Sequence, residues 1–548
     1  MALSDPSFVC GAGDKPLLYR TVGDVLAHAA ALYPQRDAIV VRHQGIKWTF
    51  EEFDARVDAV ARGFIACGLE RGERVGIWAP NCIEWVLTMF AAARAGLILV
   101  NINPAYRLAE LEFALCQVGC RMLVFAPRFK TSDYLGMLNE LIPELAKSRA
   151  GALNVARFPE LRQLVQLGAE GAPGCLAFED LVRMGREVDD GTLKARIAEL
   201  EPDQLYNIQF TSGTTGTPKG ATLTHFNLVN NGYFVGEAML LTAADRLCIP
   251  VPLYHCFGMV LGVLAAMTHG AASVFPGEAF DPLSVLEAVS AERCTALHGV
   301  PTMFIAELGH PRFKEFDLTS LRTGIMAGAP CPIAVMRRVL EEMHMPEVTI
   351  CYGMTETSPV SFQTLHDDPV EKRVTTVGRI HPHVQVKIVD AQGKVTPRGV
   401  SGELLTRGYS VMRGYWNEPE RTREALDEAG WMHTGDLGVL DEDGYCNIVG
   451  RVKDMIIRGG ENVYPREIEE FLYRHPAILD VAVVGVPDEK YGEAVCACIR
   501  LREGATLGVE EVREFCRAQI AHYKVPRYVR FLDSFPLTVT GQVQKYLI

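Results

Sequence analysis

The stretch "LYNIQFTSGTTGTPKG", Leu205 to Gly220, sets a short apolar run against a loop of unusual composition. From Phe210 to Gly220 it holds three glycines, four threonines, one serine and one lysine. Glycines let backbone N–H groups approach an anion without a Cβ in the way, and they accept positive φ. The hydroxyls of Thr211, Ser212, Thr214 and Thr215 add donors, and Lys219 adds a point charge suited to phosphate. The apolar run reads as a strand. The loop therefore falls at a strand's C-terminal end, where α/β sheets bind ligands. The pattern is not a Walker A loop, which needs GxxxxGK followed by Ser or Thr. Here Pro218 precedes Lys219 and Gly220 follows it.

Outward from this loop, helical periodicity alternates with short apolar runs. "TFEEFDARVDAVARGFIACGL" reads as an amphipathic helix with Thr49 as N-cap and Glu52 closing a capping box. "RVGIWAP" follows as a strand, "CIEWVLTMFAAARAG" as a helix ending at Gly96, and "LILVNIN" as a strand. The same alternation returns at "RMLVFAP", "RLCIPVP", "AASVFPG", "CTALHGVP", "TGIMAGAP" and "VTICYGMTE". β-branched runs between helices predict parallel strands with crossover helices. After about Val384 the texture changes. "VQVKIVD", "GELLTRG" and "YCNIVGR" are strands separated by the turn signals "DAQG" and "DEDG".

A chain of 548 residues exceeds the roughly 250–300 at which single cores stop growing. The last ~95 residues read as strand, helix, strand, strand, helix, strand, a small α+β unit. The boundary is placed between Arg451 and Asp454, giving domains 1–452 and 453–548. The fold class is α/β: a large N-terminal domain of parallel-rich sheets with packed helices and a β-rich subdomain, then a small mobile C-terminal domain. No period of 20–50 residues recurs.

A net charge of −13 argues against a nucleic-acid partner, since phosphate backbones need a basic face. Fifteen dispersed cysteines with no CxxC pair read as reduced thiols, and the start "MALSDPSFVCGAGDKP" is neither signal nor transit peptide. A cytoplasmic location follows from both. "FGMVLGVLAAMTHGAASVF", Phe257 to Phe275, is about long enough to span a membrane. Its Thr268, His269, Ser273 and glycines instead predict a buried helix running into a buried strand, with no stable membrane insertion.

Two further segments carry chemistry. "YGMTETSP", Tyr352 to Pro359, places an aromatic, a hydroxyl and a carboxylate at a strand end. Tyr352 can stack on a base and Thr355 can bond a phosphate. Glu356 can hold Mg²⁺, which prefers carboxylate plus phosphate oxygens. "HTGDLG" sets Asp436 in a turn, able to accept from ribose hydroxyls, with "GR" at Gly450–Arg451 following.

These motifs, in this order, with "GELLTRG", "WMHTGDLG", "GRVKDMIIRGGENVYPREIE" and "PLTVTG", resemble the adenylate-forming superfamily over nearly the whole chain. Acyl-CoA synthetases, peptide-synthetase adenylation domains and beetle luciferases belong to it. The run from "TVGDVLAHAA" through "NINPAYR" looks most like medium-chain fatty-acyl-CoA synthetases. The resemblance implies two half-reactions: a carboxylate attacks the α-phosphate of ATP, then a rotated C-terminal domain lets a thiol, coenzyme A, attack the acyl-AMP.

It also implies roles. Thr211, Ser212, Gly213, Thr214, Thr215, Gly216 and Lys219 would hold the β- and γ-phosphates. Glu356 would bind Mg²⁺ and Thr355 would touch the α-phosphate. Tyr352 with Gly353 would stack on adenine, and Gly328, Ala329 and Pro330 would line the base pocket. Asp436 and Arg451 would hold the ribose, and Lys453 would be the hinge. Gly459 and Gly460 would line the pantetheine entrance. His255 would belong to a gating aromatic–histidine pair beside the acyl carboxylate. "HGVPTMF", His298 to Phe304, would wall an acyl pocket or simply be core.

The pattern breaks at the C-terminus. Where the family has a lysine that reaches the carboxylate and α-phosphate, "PLTVTGQVQKYLI" has Gln542. Gln542 carries no charge, so slow adenylation with near-normal thioester formation is expected. An engineered substitution, a degenerate enzyme or another lysine in service each accounts for it. Lys545 does not: on an extended segment it lies roughly 10 Å further on and faces the other way. The chain stops at Ile548 within what reads as a continuing helix, which suggests a truncation. The resulting expectation is an AMP-forming fatty-acid–CoA ligase, monomeric or homodimeric. Its substrates would be ATP with Mg²⁺, CoA and a carboxylic acid. Ligases for short, sulfur-containing or aromatic acids, a carrier-protein-loading enzyme and an acyl-AMP-binding pseudoenzyme are the alternatives.

Overall fold

The computed structural model describes residues 5–211, 218–328, 331–458, 461–488, 491–517, 519–537 and 543–548. Two large sheets dominate it. The eight-stranded sheet places Ile98–Asn101 beside Leu205–Thr211 in parallel, with Arg74–Trp78 and Met122–Phe125 continuing outward, also parallel. The nine-stranded sheet runs parallel through Ala272–Phe275, Arg246–Cys248, Ala296–Gly299, Thr323–Met326 and Glu347–Gly353. These are the apolar runs of the sequence, and helices cover them as the alternation predicts.

Local signals act as expected. Thr49 caps Phe50–Ala66 in a full capping box with Glu52. Gly96 ends Ile83–Ala95 in the left-handed region at φ 71°. The Ile83–Ala95 helix is buried along nearly its whole length, which explains its lack of a polar face. Phe257–Leu264 forms a π-helix, Ala265–Thr268 an α-turn and Ala272–Phe275 a central strand. All eight π-helical residues are buried in the protein core. No helix among the described residues is long and apolar enough to cross a membrane.

The sheets are parallel-rich, as expected, with antiparallel strands toward their edges: Ile46–Thr49 beside Asp37–Val41, and Val360–Gln363 beside Glu347–Gly353. Leu205–Thr211 returns immediately as Lys219–Thr224, antiparallel, with Thr211 opposite Lys219. The hydroxyl-rich loop is therefore a hairpin connection. Gly414–Tyr415 adds to the hairpin's outer edge.

A third, antiparallel sheet holds Val384–Val389, Gly402–Gly408, Met432–Leu440 and Cys446–Arg451, joined at its edge by Phe8–Cys10 from the N-terminus. A 3₁₀ turn, Val452–Asp454, leads from Arg451 to Ile456–Arg458 of the C-terminal sheet. That unit has its own core, built on Ile468, Leu472, Val483, Val495, Ile499 and Val512. The final residues depart from the expected continuing helix. Leu537 bridges Val543 in antiparallel sense, and only the 3₁₀ turn Lys545–Leu547 follows.

Candidate functional site

Three clusters converge at the C-terminal ends of the two parallel sheets. The first surrounds Glu356, in the 3₁₀ turn Thr355–Thr357 just past the strand Glu347–Gly353. Glu356 is 5% exposed, so its carboxylate depends on protein donors. Tyr415 Oη donates to Glu356 Oε1 at 2.8 Å, and Thr211 Oγ1 lies at 3.4 Å from the same oxygen. Lys219 Nζ sits 4.8 Å from the Tyr415 ring centroid. Burial raises the Glu356 pKa, opposed by the Tyr415 bond and the Lys219 charge. A backbone bond from Met412 N–H to the Glu356 carbonyl at 2.9 Å pins the turn. Glu356, Thr211 and Lys219 thus surround the two ends of the hairpin loop.

The second cluster joins the two sheet systems. Tyr352 Oη donates to Asp436 Oδ2 at 2.6 Å, and Arg451 Nε donates to Asp436 Oδ1 at 3.1 Å. Asp436 is not in a turn, as its glycine-flanked sequence predicts. It lies in the strand Met432–Leu440, directly opposite Arg451. The turn signal is real but local. The register with Gly402–Gly408 slips at Thr434–Asp436, where Gly435 takes φ 71°. Such a bulge re-aims a side chain while pairing continues on either side. Glu403 holds it, accepting from the Gly435 N–H at 3.3 Å and contacting His433 Nδ1 at 3.1 Å. Thr434 Oγ1 donates to the Leu404 carbonyl at 2.7 Å and accepts from the Asp436 N–H. Lys453 lies nearby, held below the ordinary lysine value by desolvation and then by Arg451, with Lys219 adding repulsion.

The third cluster surrounds His255. Its Nδ1 accepts from the Phe257 N–H at 3.1 Å, which leaves the ring proton on Nε2. Burial lowers its pKa to about 4, so the ring is neutral near pH 7. Tyr254 stands edge-on to it at 6.3 Å. Cys256 Sγ approaches Thr355 Oγ1 at 3.9 Å, joining this loop to the Glu356 turn. A buried amide chain fixes the loop from below. Gln209 Nε2 donates to Asn207 Oδ1, Asn207 Nδ2 donates to Asn101 Oδ1, and Asn101 Nδ2 donates to the Tyr254 carbonyl.

The AMP-binding enzyme family matches residues 26–416, and the AMP-binding enzyme C-terminal domain matches residues 467–542. The chain is an AMP-binding enzyme. It is 48% identical to YngI of Bacillus subtilis, which is named as an acyl-CoA synthetase, across 97% of this chain and 96% of that one. It is 47% identical to the mitochondrial medium-chain acyl-CoA ligase ACSF2 of Danio rerio, across 98% and 89%. The anthranilate CoA ligase AuaEII, solved with anthranoyl-AMP, superposes with a TM-score of 0.86 at 26% identity over 97% of each chain. ATP-bound MatB from Rhodopseudomonas palustris gives 0.82 at 29% identity over 96% and 98%. The chain is thus an acyl-CoA synthetase of the adenylate-forming, ATP-using kind.

Within this AMP-binding enzyme, Thr211, Lys219, Thr355, Glu356, Tyr352, Asp436, Arg451, Lys453 and His255 fall into the three clusters. Gly328, at φ 90°, ends the strand region beside Val300. Gly353 is obligatory for packing, since a Cβ there would lie 1.7 Å from the Pro359 carbonyl oxygen. Ser212, Gly213, Thr214, Thr215, Gly216, Ala329, Pro330, Gly459, Gly460 and Gln542 lie outside the described residues. His298 is fully engaged in the core: Nε2 donates to the Leu261 carbonyl at 2.8 Å and Nδ1 accepts from the Ile325 N–H at 3.2 Å. Lys545 is also committed, paired with Glu469 at 2.6 Å and donating to the Val483 carbonyl at 3.1 Å.

Sequence reasoning missed Tyr415, Glu403 and the amide chain. The polar period of two in "YNIQF" was the one signal for Asn207 and Gln209. Among the described residues no group of three or more His, Cys, Asp or Glu could hold a metal. One desolvated carboxylate beside the hydroxyl-rich hairpin still fits Mg²⁺, which takes few protein ligands and completes its shell with phosphates and water.

Proposed function

We propose that the chain is an AMP-forming medium-chain fatty-acid–CoA ligase whose first half-reaction is slowed by Gln542. The observation that carries the reading is the buried Glu356 carboxylate, held by Tyr415 and Thr211 where the phosphate hairpin opens. The names of relatives 42–47% identical over nearly the full chain support the medium-chain assignment.

In this reading Lys219 and the hairpin hydroxyls receive the β- and γ-phosphates of ATP, and Thr355 Oγ1 meets the α-phosphate. Glu356 would hold Mg²⁺ together with phosphate oxygens, and the ion would neutralise charge on the departing pyrophosphate. Asp436 keeps spare lone pairs for the ribose hydroxyls beyond its bonds to Tyr352 and Arg451. His255, neutral with its proton on Nε2, can donate toward the acid's carboxylate without a competing charge. The substrate carboxylate attacks the α-phosphorus and pyrophosphate leaves. CoA then attacks the acyl carbonyl and AMP leaves. Domains 1–452 and 453–548 hinge at Lys453 between the two steps. A cytoplasmic, monomeric or homodimeric enzyme completes the proposal.

Losing one preorganised transition-state contact costs about 10²–10³ in rate. Gln542→Lys is therefore expected to raise adenylation by about that factor. The test assays AMP and thioester formation with ATP, Mg²⁺, CoA and a ladder of carboxylic acids, for the chain and the lysine variant. A gain with unchanged use of supplied acyl-AMP supports the reading, and the best acid names the substrate. Equal adenylation by both sinks the Gln542 argument. Absence of thioester from any acid or acyl-AMP replaces the ligase with a binding protein.

A further inference from the structure

The strand Lys219–Thr224 runs straight into the helix His225–Ala238. Thr224 caps that helix, accepting from the Asn227 N–H at 3.1 Å, while Asn227 Oδ1 accepts from the Thr224 N–H at 2.8 Å. The first turns read "NLVNN", with asparagines at 227, 230 and 231, and all three are buried. Asparagine is a poor helix former because its amide competes for backbone bonds, and a buried amide without partners is costly. Here each amide bonds the backbone of a different segment.

Asn231 Nδ2 donates to the Val360 carbonyl at 2.8 Å, and its Oδ1 accepts from the Val360 N–H at 3.0 Å. Val360 opens the strand Val360–Gln363 and stands opposite Gly353. The turn that carries Glu356 lies between these two residues. Asn231 therefore fixes its return end, four residues past Glu356. Asn227 lies one helical turn earlier on the same face. Its Nδ2 donates to the Tyr409 carbonyl and, at 3.4 Å, to the Val411 carbonyl. That segment reaches the same turn: Ser358 Oγ donates to the Ser410 carbonyl at 2.6 Å, and the Met412 N–H donates to the Glu356 carbonyl at 2.9 Å. Gly414–Tyr415 follows, pairing with the hairpin and bringing the Tyr415 hydroxyl to Glu356. Asn230 is the contrast. Its Oδ1 accepts from the Leu18 N–H at 2.7 Å and its Nδ2 donates to the Leu18 carbonyl at 3.0 Å, a like grip on the N-terminal segment instead.

We propose that Asn227 and Asn231 are positioning residues for Glu356, an amide clamp that keeps its carboxylate in register with the Lys219 hairpin. The proposal rests on Glu356 being the carboxylate that holds Mg²⁺. Lys219 belongs to the eight-stranded sheet, whereas the strands flanking Glu356 belong to the nine-stranded one. Tyr415 and Thr211 hold the carboxylate oxygen but leave the backbone of the turn to other groups. The two amides supply that hold from the helix that continues Lys219's own strand. An amide suits the task because it donates and accepts without adding a charge beside the ion. With Asn231 truncated, the buried N–H and carbonyl of Val360 lose their partner and the turn is free to shift. A displacement of about 1 Å in a positioned group can cost about 10²-fold.

The test measures the Kd for ATP by calorimetry, in saturating Mg²⁺ and in EDTA, for the parent chain, Asn231→Ala, Asn230→Ala and Glu356→Gln. Thioester formation from supplied acyl-AMP and denaturant midpoints are read alongside. Asn231→Ala should weaken ATP binding about tenfold in Mg²⁺ and little in EDTA, as Glu356→Gln does, with acyl-AMP use near the parent's. Asn230→Ala should lower the denaturant midpoint to a similar extent and leave the Mg²⁺ effect intact. Asn231→Asp, run in parallel, keeps the shape and the bond from the Val360 N–H but has no donor when ionised. It should show the same Mg²⁺-specific loss and stands in should Asn231→Ala not fold. Equal losses for the Asn230 and Asn231 variants overturn the clamp, as does a loss for Glu356→Gln alone. If Glu356→Gln itself shows no Mg²⁺-specific loss, the Glu356 reading falls and the clamp with it.

Discussion

Tyr415→Phe removes a single hydroxyl from the proposed phosphate site and leaves the ring beneath Lys219. That hydroxyl is the closer of the two side-chain donors to Glu356 Oε1, at 2.8 Å against 3.4 Å for Thr211. Glu356 is 5% exposed, so water does not restore the lost bond. A hydrogen bond to a charged group is worth about 1.5–3 kcal/mol net. At about 1.4 kcal/mol per decade, kcat/KM for adenylation should fall roughly ten- to 150-fold. The pH profile should move with it. Burial already raises the Glu356 pKa, and the Tyr415 bond opposes that rise. Without the bond the carboxylate keeps its proton to higher pH, so the acid limb of activity shifts upward. Stability has the opposite sign. A carboxyl raised in the folded state favours folding when protonated, and that contribution is lost as pH rises past the ordinary carboxylate value. The assay is ATP–pyrophosphate exchange against pH and Mg²⁺ concentration, with thioester formation from supplied acyl-AMP as the control. Exchange equal to the parent's, with the same Mg²⁺ dependence and acid limb, would refute the role assigned to Glu356.

Asp436→Asn keeps the shape of the side chain but weakens its acceptance from Tyr352 and Arg451, and should raise the KM for ATP about tenfold with a smaller change in kcat. Unchanged ATP saturation would count against a ribose contact. Gly353→Ala forces a Cβ to within 1.7 Å of the Pro359 carbonyl oxygen and should destabilise the fold by about 1–3 kcal/mol or more, read as the denaturant midpoint. Four buried histidines are lowered by burial: His225 and His381 to about 3, His255 and His298 to about 4. Each takes a proton on unfolding, so stability present above about pH 6.5 is lost as pH falls toward these values, by up to about 1.4 kcal/mol per pH unit per histidine. Denaturant midpoints at pH 7, 6 and 5 check this, and His298→Gln should flatten the slope.

The sequence by itself determined the chemistry and most of the local structure. Short-range signals such as the Thr49–Glu52 box, the Gly96 terminus and the alternation of helix with apolar strand are set by neighbours within a turn or two. The hydroxyl-rich loop and "YGMTE" stood out in the sequence because the phosphate and metal roles proposed for them demand particular side chains at close spacing. Tertiary structure alone decided what meets across long separations. Tyr415 reaches Glu356 because a two-residue strand pairs with the edge of the hydroxyl-rich hairpin. No local pattern in "RGYW" announces that. Asp436 reads as a turn residue since Gly435 needs positive φ. The sheet instead absorbs the glycine as a bulge, because pairing on both sides outweighs the local preference. His298 looked available to a pocket until both ring nitrogens found backbone partners in the core.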